Sequence, residues 1–475
     1  MEANDMSQEP YFLTIAEASA LIRAKKLSPV ELTRAYLDRV AKLDGELHAY
    51  ILVLPEQAIA DARRAESEIA AGDWRGNLHG IPIGLKDIYN TAGIATTGHS
   101  ALFKNHVPAE DAVTVQKLRG AGAVVLGKLA THEFATGGPS FDLPWPPARN
   151  PWNVAHQPGG SSSGSGAAVA AGLCMAAMGT DTGGSIRSPS AWCGIAGFKP
   201  TYGRVSRRGI LPLSFTLDHA GPMCWTTEDC ALMMQALAGH DPLDPGSADL
   251  PVPDFSAALT GDVKALRIGV IRHFFETDLK AEPDVAAALE QALDVFRGLG
   301  ASVRDIKLSP LDHYNKVTSL ISRSEAYAIH ERYLTTTPEL YGELGRRRLA
   351  AGAFVRASDY VNALRHRARL TAEMDAAMVD CDVLMLPTKH QTAPRFRNEP
   401  AVREPSFTQP FNVTGRPALS VCSGFSAAGL PLSLQIVGKP FDDATVLKVG
   451  DAFEKATTFR KIRPNLGEAI AAAAQ

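Results

Sequence analysis

From position 159 to 187 the chain reads GGSSSGSGAAVAAGLCMAAMGTDTGGSIR, a stretch with almost no large side chain. Two Gly/Ser loops, 159–166 and 179–185, bracket a run of small residues at 167–172 and a short apolar strand at 174–178. A flexible linker is the plainest explanation of the first loop, yet linkers do not usually lead into a small apolar helix and a buried strand. A phosphate cradle is the next, because glycine-rich turns at helix starts expose backbone N–H groups. Its usual parts are missing: there is no G-x-x-x-x-G-K-[ST] run and no G-x-G-x-x-G followed by an acidic residue in a βαβ unit. Phosphate binding thus stays only as an alternative; such loops also serve nucleophilic acyl transfer, which needs a serine in a turn whose N–H groups face a developing oxyanion.

The surroundings of this stretch set the fold class. Short apolar runs ended by glycine or polar residues recur at 81–85, 123–126, 174–178 and 194–198, separated by helical segments. That is the α/β pattern of strands buried beneath helices. Further strands are expected at 267–271, 302–306, 383–386, 418–422 and 432–437. Two helices open the chain: Thr14 with Glu17 reads as a capping box, and Ser28-Pro29-Val30-Glu31 repeats it with proline at the first helical position. A third helix is expected at 56–71 and another at 111–122. Residues 310–380 read as polar helices covering the sheet, with an arginine run at 346–348. The Pro/Gly/Asp-rich segment 239–255 reads as a long surface connection between two lobes, with strands on both sides still able to share one sheet, and the alanine-rich tail, 469–475, is expected to fray.

Several function classes fall away on composition. With 45% hydrophobic and 21% charged residues the 475-residue chain can bury a large core. A net charge of -3 gives no electrostatic reason to expect nucleic acid or an anionic membrane as partner. No stretch approaches the roughly 18 uncharged apolar residues of a membrane span, and the first residues, MEANDMSQEP, have no signal-peptide core. A cytoplasmic location is expected. The six cysteines lack C-x-x-C or ligand spacing, so buried free thiols are expected, and the 13 histidines form no H-E-x-x-H motif. No metal and no cofactor are expected. His79, His99, His106 and His132 read as satisfied surface or core residues.

Within the second loop, Thr182-Gly183-Gly184-Ser185 offers backbone N–H groups beside a hydroxyl, which makes Ser185 the candidate nucleophile. No G-x-S-x-G elbow is present and no histidine is suggestively placed. Lysine can replace histidine as base: Lys86 ends the apolar run 81–85, and a lysine drawn inward loses charge stability by desolvation. Taken alone, a lysine after a strand is usually a solvated cap. Asp181 and Arg187 flank the turn and either pair to hold it rigid or form a solvated pair. Ser162, Ser163 and Ser165 read as hydrogen-bonding loop residues.

Three ordered segments, GIPIGLKD at 80–87, the loop at 159–166 and GTDTGGSIRSP at 179–189, resemble the amidase signature pattern in order and spacing. The likeness extends through THEF at 131–134, RNPW at 149–152, GFKPT at 197–201 and NVTGRPA at 412–418, nearly the whole chain. One departure is Ser163, where glycine is common; the segment 141–147, FDLPWPP, is also idiosyncratic and is placed at the substrate entrance. The resemblance implies one α/β/α body spanning 1–475 around a large, mixed, mostly parallel twisted sheet covered by helices on both faces. Within it, 1–75 would supply N-terminal helices, 76–240 the catalytic core, 241–380 the connection and helical cover, and 381–475 the strands and helix completing the sheet. It also implies a cis peptide before Ser161. Lys86 would be the neutral base, Ser161 the proton bridge and Ser185 the nucleophile forming an acyl-enzyme. The N–H groups of Thr182, Gly183, Gly184 and Ser185 would form the oxyanion hole. Gly137, Gly138, Trp192 and the helical region near Tyr327 and Phe354 are candidates for the pocket wall.

The expected function is stand-alone hydrolysis of aryl or aliphatic amides, with carbamates and some esters included, by a monomer or homodimer. Its partners would be a small-molecule amide and water, with no nucleic acid and no membrane. One alternative is the A-type amidase subunit of a glutamine-dependent tRNA amidotransferase. Against it, nothing like that subunit's Tyr-Asp-Gly-Val-Arg run lies between Ser324 and Tyr360. Another is a catalytically silent scaffold, although all three triad positions hold competent residues.

Overall fold

The computed structural model describes residues 9–396 and 405–471; part of the alanine-rich tail, 472–475, lies outside them. Eleven strands form one sheet: β1 (Tyr50–Val53), β2 (Pro82–Lys86), β3 (Val124–Leu129), β4 (Ala176–Asp181), β5 (Ala196–Lys199), β6 (His219–Cys224), β7 (Arg267–Val270), β8 (Ser302–Asp305), β9 (Val383–Pro387), β10 (Ala418–Phe425) and β11 (Pro431–Val437). Their order is β1-β3-β2-β4-β6-β5-β10-β11-β9-β7-β8. Strands β2 to β6, β9 and β11 are buried along their whole length, as strands covered on both faces must be. Of the two readings of 239–255, the shared sheet holds: strands before and after it hydrogen-bond in the same one, β5 to β10.

The sheet is mixed, as the resemblance implied, but its parallel share is smaller than expected. Parallel pairing joins β2 to β3 and β4, and β7 to β8 and β9; the other six pairings are antiparallel. Parallel neighbours need a long crossover, whereas antiparallel ones need only a return. Residues 426–430 bring β10 straight back as β11, and 200–218 return β5 as β6 without a helix.

The expected helix starts are present. Thr14 accepts from the Glu17 N–H while Glu17 accepts from the Thr14 N–H, a full capping box. Ser28 accepts from Val30 and Glu31, but its hydroxyl turns to Glu66 on the neighbouring helix Pro55–Ala71, so the second box is only half formed. Helices Leu311–Thr336, Glu343–Ala350 and Ala357–Ala377 pack together, the first of them touching both others. All six cysteines are free and buried. Among the described residues, no helix is long and apolar enough to cross a membrane.

Candidate active site

Lys86 is the last residue of β2, which lies between β3 and β4 in the interior of the sheet. Its side chain is fully buried, which excludes the solvated-cap reading. Nζ donates to Ser161 Oγ at 2.8 Å and to Thr180 Oγ1 at 2.9 Å. Removal from water lowers its pKa to about 7, against the opposing pull of the Asp218 and Asp181 carboxylates. Such a lysine can take a proton near neutrality.

Ser161 precedes the helix Ser163–Ala170, whose residues are small and buried throughout. The Gly160–Ser161 peptide is cis, and the Ser161 carbonyl accepts from the His132 N–H at 3.0 Å. Ser162 and Ser165 donate to backbone carbonyls of β4, and Ser163 to Ala130, so these hydroxyls bind the helix start to the sheet.

Ser185 lies in the turn between β4 and the helix Arg187–Cys193. It is half-buried, and its hydroxyl makes no hydrogen bond among the described residues; it faces the same cleft as Ser161. Behind the turn, Asp181 and Arg187 form a fully buried pair, Nη2 to Oδ1 at 2.9 Å and Nε to Oδ2 at 3.0 Å. Arg187 also donates to Gln435, Asn412 and the Thr408 carbonyl. Burial alone would raise the Asp181 pKa, but the Arg187 charge and hydrogen bonds hold it well below the ordinary carboxylate range. The solvated-pair reading is thereby excluded.

That carboxylate also corrects the expected set of oxyanion donors. Asp181 Oδ1 takes the Gly184 N–H at 2.7 Å, and Oδ2 takes those of Ile186 and Arg187. The N–H groups of Thr182, Gly183 and Ser185 have no acceptor among the described residues. Gly184 is instead the pivot: its φ is +132°, and a Cβ there would lie 2.3 Å from Thr408 Oγ1.

These groups open into a cleft of about 270 Å³. Of the expected wall residues, Gly137 lines it, while Gly138 stands in a smaller recess behind His132 and Gly159. Trp192 does not line it: the ring packs with Ala393, Leu430 and Trp152, and its Nε1 donates to the Gln391 carbonyl. Tyr327 and Phe354 are also off the wall, Phe354 being 87% exposed; their neighbours Arg323, Ala326, Arg348 and Leu349 take the place. His132, expected as a satisfied bystander, lines the cleft beside Ser161, and burial next to Lys86 lowers its pKa to about 3. Sequence reasoning also missed Thr180, Lys389 and Arg348, the last hidden in the run 346–348 that reads as solvated helix.

The sequence model of the Amidase family matches residues 31–447. The chain belongs to that family. The A-type subunit of glutamyl-tRNA(Gln) amidotransferase from Geobacter metallireducens is 41% identical to this amidase over 95% of the chain and 98% of its own length. A solved structure described as a vestigial protein complex revealing the origins of an s-triazine catabolic enzyme superposes with a TM-score of 0.88 at 30% identity. It covers 93% of this chain and 98% of its own. The structure of the corresponding A-type subunit from Thermotoga maritima matches with a TM-score of 0.79 at 32% identity, covering 96% of each chain. The chain is thus an amidase-family enzyme of amide hydrolysis.

The same relatives correct two expectations. A stand-alone hydrolase without nucleic-acid partners was expected, partly because one short run was missing from 324–360. Near-full-length identity to proteins named as subunits of an enzyme of glutamyl-tRNA(Gln) overrides that local absence. A binding run can be rebuilt from other side chains where the framework is retained.

Proposed function

We propose that this chain is the amide-cleaving A-type subunit of a glutamine-dependent amidotransferase acting on glutamyl-tRNA(Gln). The observation that carries the reading is the identity of about 40% to such subunits from end to end. The chemistry would run on the three groups described above. Neutral Lys86 draws the proton of Ser161, Ser161 that of Ser185, and Ser185 Oγ attacks the side-chain carboxamide carbon of glutamine. The N–H groups of Thr182, Gly183 and Ser185 take the oxyanion. Ammonia departs with a proton returned through Ser161, and water releases glutamate from the acyl-enzyme. The bond broken is a linear carbon–nitrogen bond outside the peptide backbone.

The cleft supports an anionic substrate: Arg323, Arg348 and Lys389 stand on its wall. They suit the α-carboxylate of glutamine, and Thr318, Ser322 and Gln409 supply neutral acceptors for its ammonium. With a net charge of -3 the chain has no cationic surplus for phosphates, so tRNA would be held chiefly by the other subunits. This reading places the protein in the cytoplasm, where its six free thiols stay reduced.

The test is release of glutamate from glutamine by the purified chain, by itself and with the remaining subunits, followed by amide transfer to glutamyl-tRNA(Gln). Glutamine cleavage that depends on Ser185 and is coupled to transfer is expected. Cleavage of simple aryl amides with none of glutamine, even in the assembly, would overturn the reading.

A further inference from the structure

The cleft has two walls from distant parts of the chain: the segment after β3, and the helix Glu343–Ala350 that carries Arg348. Glu133 lies between them, 2% exposed. Its carboxylate accepts from Ser100 Oγ at 2.6 Å and from the Gly342 N–H, at the N-cap of that helix, at 3.1 Å. Asp142 takes the next free N–H, that of Glu343, at 2.7 Å. At the far end of the helix Arg348 Nη1 donates to the Gly137 carbonyl at 2.5 Å. The helix therefore rests on segment 133–142 at both ends, with carboxylates at its positive pole.

The contact is close. A Cβ at Gly345 would fall 2.2 Å from Glu133 Oε2, so only glycine lets the helix sit on the carboxylate. The supporting segment is itself held in an uncommon backbone, with Phe134 at φ +44° and Ala135 at φ +61°. Phe134 is wedged among Phe103, His330 and Tyr341, the residue next to Gly342. Nothing in the acyl-transfer scheme uses Glu133, yet its contacts with Gly342 and Gly345, with those of Asp142 to Glu343 and Arg348 to Gly137, tie the two walls together.

We infer that Glu133 is a positioning residue for substrate: it seats helix Glu343–Ala350 so that Arg348 stands where it can hold the substrate carboxylate. The inference rests on the reading of the cationic wall given above. The clamp acts on binding of the charged end, not on the reacting carbonyl.

Steady-state kinetics of the full chain in its assembly test this, with glutamine and with butyramide, which keeps the carboxamide but lacks the amino-acid head. Glu133→Gln should raise KM for glutamine about tenfold with kcat changed less than about twofold, and leave kcat/KM for butyramide unaltered. Gly345→Ala reaches the same contact from the other side and should do the same. Glu133→Gln combined with Arg348→Met should be no worse than Arg348→Met alone. Equal losses of kcat on both substrates, or full additivity with Arg348→Met, would overturn the clamp. If Arg348→Met raises KM for glutamine while both clamp variants are silent, the clamp falls and the cationic wall stands. If Arg348→Met leaves that KM unchanged, the wall reading falls and takes the clamp with it.

Discussion

The pH dependence of turnover follows from the burial of Lys86. Only the neutral amine can accept the Ser161 proton, and burial brings the ammonium pKa to about 7. The neutral fraction is then about one tenth at pH 6 and about nine tenths at pH 8. Protonation inactivates, so kcat/KM should rise about tenfold between those values and level off above them. Because Asp218 is the largest influence holding that pKa up, Asp218→Asn should move the inflection to lower pH. Glu133 also titrates near the cleft, raised to about 7 by burial, so the inflection must persist in Glu133→Gln to be assigned to the lysine. The assay is the initial rate of glutamate release at glutamine concentrations well below KM. A profile flat across this range, or one whose inflection disappears in Glu133→Gln, would refute the reasoning.

Ser185→Ala should lower turnover by about a thousandfold or more with an unchanged melting temperature, since a half-buried hydroxyl is lost and little packing. Trapping of an acyl group on wild type but not on this variant, read by intact mass, is the companion measurement. Arg187→Met leaves Asp181 charged and buried without its partner, and should cost about 3–5 kcal/mol in denaturant unfolding. Gly184→Ala places a Cβ against Thr408 at a φ suited to glycine. It should destabilise by about 1–3 kcal/mol and abolish turnover together.

Much of the sheet was legible because its strands are short apolar runs: nine of the eleven lie within a few residues of the segments expected. The two that were not, β1 and β6, carry no such signal. β1 has four residues at the sheet edge, and β6 reads HAGPMC, where Gly221 and Pro222 look like a turn but pair across to Gly179 and Met178. The turn at Ser185 was visible as a local Gly/Ser pattern, whereas Lys86 by itself reads as a solvated cap and Ser161 as one serine among several; only the resemblance singled those two out. The cleft wall was not visible. Arg348 and His132 reach it through packing between segments hundreds of residues apart, and aromatic size misled at Trp192, which fills a core cluster instead. The Gly184 N–H was likewise misassigned, because a sequence cannot say which donors a neighbouring carboxylate has already taken.

The helix Ser163–Ala170 has a further meaning for how such a protein changes over time. Every side chain in it is smaller than leucine and buried, so nearly any substitution there is larger than the space available. A saturation scan should therefore find 159–187 almost closed to replacement, with the exposed faces of 311–377 open. New substrate preferences in this lineage would then arise in the helical cover, where Arg323 and Arg348 reside, while the serines and lysine stay as inherited hardware.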